Sequence, residues 1–201
     1  NRPTKIIKLY VGSLPSPQKH ATVCPLLKKP TLDPDELSSY RPISNLTFLS
    51  KMVERVVAAR FNKHVDSNHL LPERQSAYRR FHSTETAIAA VHNDLVRAVD
   101  NDHVTALVLL DLSSAFDTVD HQILLPVLQQ RFGIDELALD WFHSYLSERS
   151  QTFVSGGTSS AESAVNCSVP QGSVLGPLEF ISYTEDVAKI FERHDLQHHL
   201  F

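Results

Sequence analysis

Three groups of residues have the types and spacing of a site that handles phosphate and divalent metal. The first lies in ALVLLDLSSAFDTVDH, Ala106–His121, where a run of apolar residues stops at Asp111 and two more aspartates follow at Asp117 and Asp120. A carboxylate closing a buried strand sits where α/β folds place ligands and catalytic groups, and hard divalent cations prefer carboxylate oxygen. Asp120 has an ordinary use as a helix N-cap, and Asp117 fits a solvated turn. Asp111 is left as the candidate metal ligand, its bland alternative being a hydrogen bond to a nearby turn. Phe116, five residues on, is placed to cover whatever Asp111 binds.

The second group is SVPQGSVLGP, Ser168–Pro177. Pro170 fixes a turn, Gln171 offers an amide that both donates and accepts, and Gly172 lets backbone approach a flat or charged ligand with no Cβ in the way. The third is the arginines of SSYRPISN and QSAYRRFHST, Arg41, Arg79 and Arg80. Guanidinium groups suit phosphate because they bind it bidentately. The histidines at 194, 198 and 199 are spaced for one helix face, but no cysteine or carboxylate pattern completes a metal site with them, and a polar surface is expected.

Charge divides the chain. Residues 1–80 carry 14 Lys and Arg against 6 Asp and Glu, and residues 81–201 carry 5 against 17, although the net charge is only −4. A basic first part suits a polyanion, and an acidic second part suits divalent metal. Apolar content of 42 % suffices for a packed core. No run approaches the ~18 apolar residues of a membrane helix, and no secretory signal opens the chain, so no membrane partner is expected. Cys24 and Cys167 stand far apart without ligand spacing, as free thiols of a reducing compartment.

The elements that must position these residues are partly legible. A strand is expected near Ala21–Leu27. Helices are expected over Leu46–Val65, with Leu49, Val53, Val57 and Phe61 as the apolar stripe, and over Ser83–Val99, capped at Ser83 or Thr84, with Ile88, Val91, Leu95 and Val99 inward. Val104–Leu110 reads as a strand apolar on both faces. Asp120 opens a third helix that Gly133 ends, and Asp135 caps a fourth through Leu146. Gln151–Val154 and Ala164–Val169 flank a hairpin turn. Leu175–Arg193 is expected to be helical but broken at Pro177, and Leu196–Phe201 to open a strand.

Taken in order, SSYRPISNLTFLSKMVERVV, LLPERQSAYRRFHSTETAI, ALVLLDLSSAFDTVDHQILL and SVPQGSVLGPLEF resemble the reverse transcriptase (RNA-directed DNA polymerase) of a non-LTR, LINE-type retrotransposon, from about residue 20 to the end. The resemblance implies an α+β, right-hand polymerase: residues 1–103 as fingers with an N-terminal extension, and 104–201 as a partial palm, helices packed on a small, mainly antiparallel sheet, with no thumb. It implies two-metal nucleotidyl transfer with Mg2+, for which Mn2+ can substitute. Asp111 and the Leu112 carbonyl would bind metal, and Phe116 would pack against the sugar of the incoming nucleotide. Gln171 and Gly172 would line the nucleotide and template site, with Arg41 and Arg79 near triphosphate or template. RNA template, DNA primer and dNTP are the implied partners, beside other domains of a parent polyprotein in nucleus and cytoplasm.

The family's second carboxylate source, a [Tyr/Phe]-x-Asp-Asp hairpin, would begin at Phe201, so these 201 residues alone are expected to be inactive. Glu179 stands where the family carries apolar residues, and is expected to face solvent, protonate or mark a decaying copy. The alternative functions are a non-catalytic nucleic-acid-binding remnant of a degenerate element, or an unrelated metal-dependent nuclease or phosphotransferase. The polymerase reading expects Asp111 in an open cleft beside Phe116 and residues 170–172, with the last residues of the chain as its neighbouring strand.

Overall fold

The computed structural model describes residues 12–112 and 114–201. The chain is a mixture of helices and one sheet, divided into two compact units that interleave along the sequence. The first takes the chain up to Leu70 together with Ala115–Tyr183, and the second takes Leu71–Ser114 with Thr184–Phe201. Neither coincides with a cut at 103/104, which concerns polymerase subdomains and is taken up below.

The first unit is built on strands β1 (His20–Leu27), β2 (Tyr40–Asn45), β3 (Arg149–Ser155), β4 (Thr158–Ser159) and β5 (Ser163–Val165). β2 pairs antiparallel with β1, β1 parallel with β3, and β3 antiparallel with both β4 and β5. Ala21 and Val23 of β1 are buried while their neighbours are half exposed, the period-2 alternation of a sheet packed on one face. The hairpin expected between Gln151–Val154 and Ala164–Val169 is present in its first arm, but its return strands are Thr158–Ser159 and Ser163–Val165 and no strand runs on to Val169; the sheet is mainly antiparallel.

Three helices complete the framework of this unit, and each starts at a side chain that accepts an otherwise orphaned N–H. Thr47 caps α1 (Phe48–Ser67), Asp120 caps α3 (His121–Gln130) and Asp135 caps α4 (Glu136–Leu146). Phe61, Phe132 and Phe142 meet with ring centroids 5.8 and 6.1 Å apart, and Trp141 stacks on Tyr145 at 5.2 Å. Gly133 takes the left-handed φ of +65° just past α3. A fourth helix, α5 (Gly176–Tyr183), buries Leu178 and Ile181.

The second unit holds α2 (Thr84–Asp100) and α6 (Asp186–Arg193). α2 opens with a reciprocal box in which Ser83 and Thr86 each accept the other's backbone N–H. Leu200 bridges to Gln75, its carbonyl accepting from Ser76 N–H at 2.8 Å and its own N–H donating to the Arg74 carbonyl at 3.0 Å. Among the described residues no helix is long and apolar enough to cross a membrane.

Five expectations need correction. Residues 104–112 form no strand, and Val104, Val108, Leu109 and Leu110 are largely exposed. A strand exists only as part of a ladder, and no described segment pairs with this one. The end of the chain does not supply that partner, because it runs beside Arg74–Ser76 and forms an isolated bridge there, not a strand. On α1 the buried face is Ser50, Glu54, Val57, Ala58, Phe61, His64 and Val65, while Leu49 is exposed. Steps of four residues drift about 40° per step around a helix, so a stripe traced by fours winds off the buried face. On α2 Ala87 is buried and Ile88 and Val99 face out. The helix break after residue 175 falls at Thr184–Glu185, not at Pro177, which sits at the second position of α5 where a missing N–H costs nothing.

Candidate functional site

The segment Ser168–Gly176 is bound on several sides within the first unit. Val169 N–H donates to the Phe116 carbonyl at 2.9 Å, Ser168 N–H to the Val119 carbonyl at 2.8 Å, and the His121 ring nitrogen Nε2 to the Ser168 carbonyl at 2.6 Å. From β2, Ser44 N–H donates to the Gln171 carbonyl at 2.8 Å. Gly176 N–H is met by Ser173 Oγ at 2.8 Å, which caps the entry to α5. Gln171 and Gly172 therefore sit on a fixed turn rather than a free loop.

Gly172 needs to be glycine. Its φ is +106°, and a Cβ built on it would stand 3.2 Å from the Ser44 carbonyl oxygen. Gly172→Ala is expected to destabilise the first unit by about 1–3 kcal/mol through backbone strain and crowding, read as a lower urea midpoint with unchanged m-value.

Phe116 belongs to the same assembly. Its half-buried ring lies against Phe180 with centroids 5.4 Å apart. Arg41 is exposed on β2, opposite Leu26 of β1. Between the sheet and residues 166–171 lies a cavity of about 400 Å³, whose wall includes Ser44, Asp117, Gln151, Phe153, Asn166 and Gln171. Its amides and hydroxyls both donate and accept, and Phe153 supplies an aromatic face. Partial burial raises the carboxyl of Asp117 above its ordinary value. The residue-by-residue reading passed over Gln151 and Asn166. Their only sequence signal is a position on a hairpin whose partner strand is set by the fold.

Asp111, Leu112 and Arg79 belong to the second unit. Asp111 and Leu112 are exposed, and Asp111 makes no hydrogen bond or ion pair among the described residues. Arg79 uses Nη1 on the carbonyls of Pro72, Glu73 and Gln75 at 3.1–3.3 Å, which closes the turn before it. Among the described residues no three or more His, Cys, Asp or Glu side chains are grouped to hold a metal ion. Asp111 thus contributes one carboxylate, which does not by itself make a two-metal site. The histidines at 198 and 199 are also used otherwise: His198 stacks on Phe191, and His199 Nε2 pairs with Ser76 Oγ at 2.8 Å.

Beneath the Ser168–Gly176 segment lie charged side chains that periodicity missed. Glu54, Arg149 and Glu179 are at most 3 % exposed. Glu54 accepts from Val174 N–H at 2.6 Å and from Ser50 Oγ at 3.3 Å. Arg149 Nη1 donates to the Tyr145 carbonyl at 2.9 Å, and its guanidinium lies 4.8 Å over the Tyr145 ring. Neither carboxyl oxygen of Glu179 has a partner among the described residues. Burial drives its pKa up to about 8; Arg149 opposes the shift and the Glu54 carboxylate adds to it. Of the three outcomes open for Glu179, facing solvent is excluded.

Residues 27–201 match the family described as reverse transcriptase (RNA-dependent DNA polymerase). The chain belongs to the reverse transcriptase family. The chain is 32 % identical over 179 residues to the probable RNA-directed DNA polymerase from transposon BS of Drosophila melanogaster, a match that covers 89 % of the chain and 19 % of that protein. It is 30 % identical over 179 residues to the RNA-directed DNA polymerase from mobile element jockey of Drosophila funebris, with the same coverage. It is 27 % identical over 188 residues to the retrovirus-related Pol polyprotein from type-1 retrotransposable element R2 of Popillia japonica, covering 92 % of the chain and 26 % of that protein. These relatives make it a reverse transcriptase domain of non-LTR type. The chain spans about a fifth of the length of the first of these curated relatives.

Proposed function

We propose that this domain is the fingers, residues 1–103, and partial palm, residues 104–201, of a polymerase that copies an RNA template onto a DNA primer from dNTPs. The observation that carries the reading is Asp111: in a chain of this family, the aspartate closing the ALVLL run stands in solvent without an intrachain partner among the described residues. A carboxylate kept free of hydrogen bonds has its oxygens available to a cation, and Mg2+ is the cation such oxygens suit, with Mn2+ as substitute. The Leu112 carbonyl stands beside it. Further carboxylates from outside these 201 residues would complete the set.

The other candidates orient the substrates. The Phe116 ring meets the nucleotide sugar and disfavours a 2′-hydroxyl. The fixed turn presents the Gln171 amide and the bare Gly172 backbone to nucleotide and template. Arg41, exposed on β2, and the donors of Arg79 not used on carbonyls meet phosphates.

The test is primer extension on an RNA template with Mg2+. The 201-residue chain alone is expected to add no nucleotide, and the chain continued through a [Tyr/Phe]-x-Asp-Asp segment and a thumb is expected to extend the primer. A continued protein that holds primer–template yet incorporates nothing with either metal overturns the reading. The buried, unpartnered Glu179 favours a second one, a non-catalytic remnant of a decayed element. Stops or frameshifts in the genomic frame past Phe201 would decide for it.

A further inference from the structure

We infer that Glu54 is the positioning residue of the Pro170–Gly172 turn: from α1 its carboxylate fixes the backbone of Val174, and with it the direction in which Gln171 and Gly172 face nucleic acid. The inference rests on the proposal that these two residues meet nucleotide or template.

Glu54 is 1 % exposed, on the buried face of α1 between Ser50 and Val57, a face that also carries Ala58, Phe61, His64 and Val65. A carboxylate there is costly unless its oxygens are used. They are used, but not on a cation: among the described residues it makes no ion pair within salt-bridge distance. One oxygen takes the Val174 N–H, 120 residues away in sequence, at 2.6 Å, the length of a strong charge-assisted bond. The other takes Ser50 Oγ one turn earlier, which holds the side chain in one rotamer.

The second anchor comes from the same stretch of chain. Ser44 N–H holds the Gln171 carbonyl at 2.8 Å, and Ser44 lies just before the connection to α1. The β2–α1 segment thus grips the turn at 171 and again at 174, on either side of Gly172 with its φ of +106°. With both ends pinned, the glycine dihedral is set and the Gln171 side chain has a defined base. Release of the 174 end leaves that side of Gly172 to the Ser173 N–H bond to the Pro170 carbonyl and to the α5 entry, and loosens the turn about the glycine.

The test uses the 201-residue chain with Glu54→Leu, which removes both bonds, Glu54→Asp, which keeps the charge but shortens the reach, and Glu54→Gln, whose amide oxygen can still accept from Val174. Amide exchange at Gly172, Ser173 and Val174 reads the turn, and fluorescence anisotropy of an RNA–DNA primer–template reads its use. Leu and Asp are expected to speed exchange at Val174 by about tenfold or more and to weaken primer–template binding by about fivefold, while Gln restores both to within about threefold of the parent. The Asp variant keeps the test decisive if Leu does not fold. Unchanged Val174 exchange in a folded Asp or Leu variant overturns the inference, and so does faster exchange with unchanged binding, the signature of a merely structural bond. If the unsubstituted chain binds no primer–template, the role of Gln171 falls, and exchange alone decides whether Glu54 sets the turn.

Discussion

Asp111→Asn, made in the polymerase proposed to carry this chain, is expected to lower nucleotide incorporation by about 10³-fold or more while leaving primer–template affinity within about twofold. The substitution keeps shape and removes charge. Asp111 is exposed and makes no hydrogen bond or ion pair among the described residues, so the fold loses nothing by it, and a melting curve within about 0.5 kcal/mol of the parent is expected. A neutral amide is a poor ligand for a hard divalent cation, and a 10³-fold loss corresponds to about 4 kcal/mol of transition-state stabilisation. Single-turnover primer extension measures the effect apart from product release. Extension at the parental rate in a folded variant would remove Asp111 from the site, and the metal reading with it.

Glu179→Gln is expected to stabilise the protein by about 3 kcal/mol at pH 7. The pKa of Glu179 is raised from 4.5 to about 8 in the folded chain, chiefly by burial. A group whose folded pKa is raised contributes stability that is whole below its unfolded pKa and is lost as pH rises through the folded one. Between pH 4.5 and 8 the unfolded chain releases the Glu179 proton while the folded chain keeps it. The protein therefore loses about 1.4 kcal/mol per pH unit across that window. Glutamine has no proton to release. The two proteins should converge near pH 4, diverge steadily to pH 8 and run parallel above it, in urea denaturation at a series of pH values. A parallel pair of curves from pH 4 to 8 would show that Glu179 finds a partner in solution. Glu179→Leu should behave like Gln in its pH dependence, since both remove the acid.

Local chemistry was legible in the sequence wherever a residue and its partner lie within one turn. Ser83, Asp120 and Asp135 cap the helices they precede, because a side chain one to three residues from an orphan N–H has a partner close at hand. The strand near Ala21 and the hairpin after Arg149 follow from alternation and glycines that flank it, properties of a few consecutive residues. The turn at Pro170–Gly172 was visible as turn chemistry. What fixes it was not, since Ser44 and Glu54 come from more than 100 residues earlier and carry no mark of their destination. The stripe read on α1 left out Glu54 and His64, whose buried partners, Val174 N–H and the Phe132 carbonyl, come from distant parts of the chain. Arg79 read as a free cation for phosphate, yet part of its guanidinium closes the turn that precedes it. For Val104–Leu110 the composition describes a strand with covered faces, and no property of those residues supplies the cover or the neighbouring strand.

That uncovered run has a consequence for handling the protein. Val104–Leu110 holds seven residues with no charge, proline or glycine, rich in valine and leucine, and most of them stand in water. Short segments of this composition stack on copies of themselves when no intramolecular ladder claims them. Between two molecules in a tube, each such run offers the other the hydrogen-bonding edge it lacks at home. Self-association through these residues is expected to compete with binding measurements made at high concentration, and to recede as the protein is diluted.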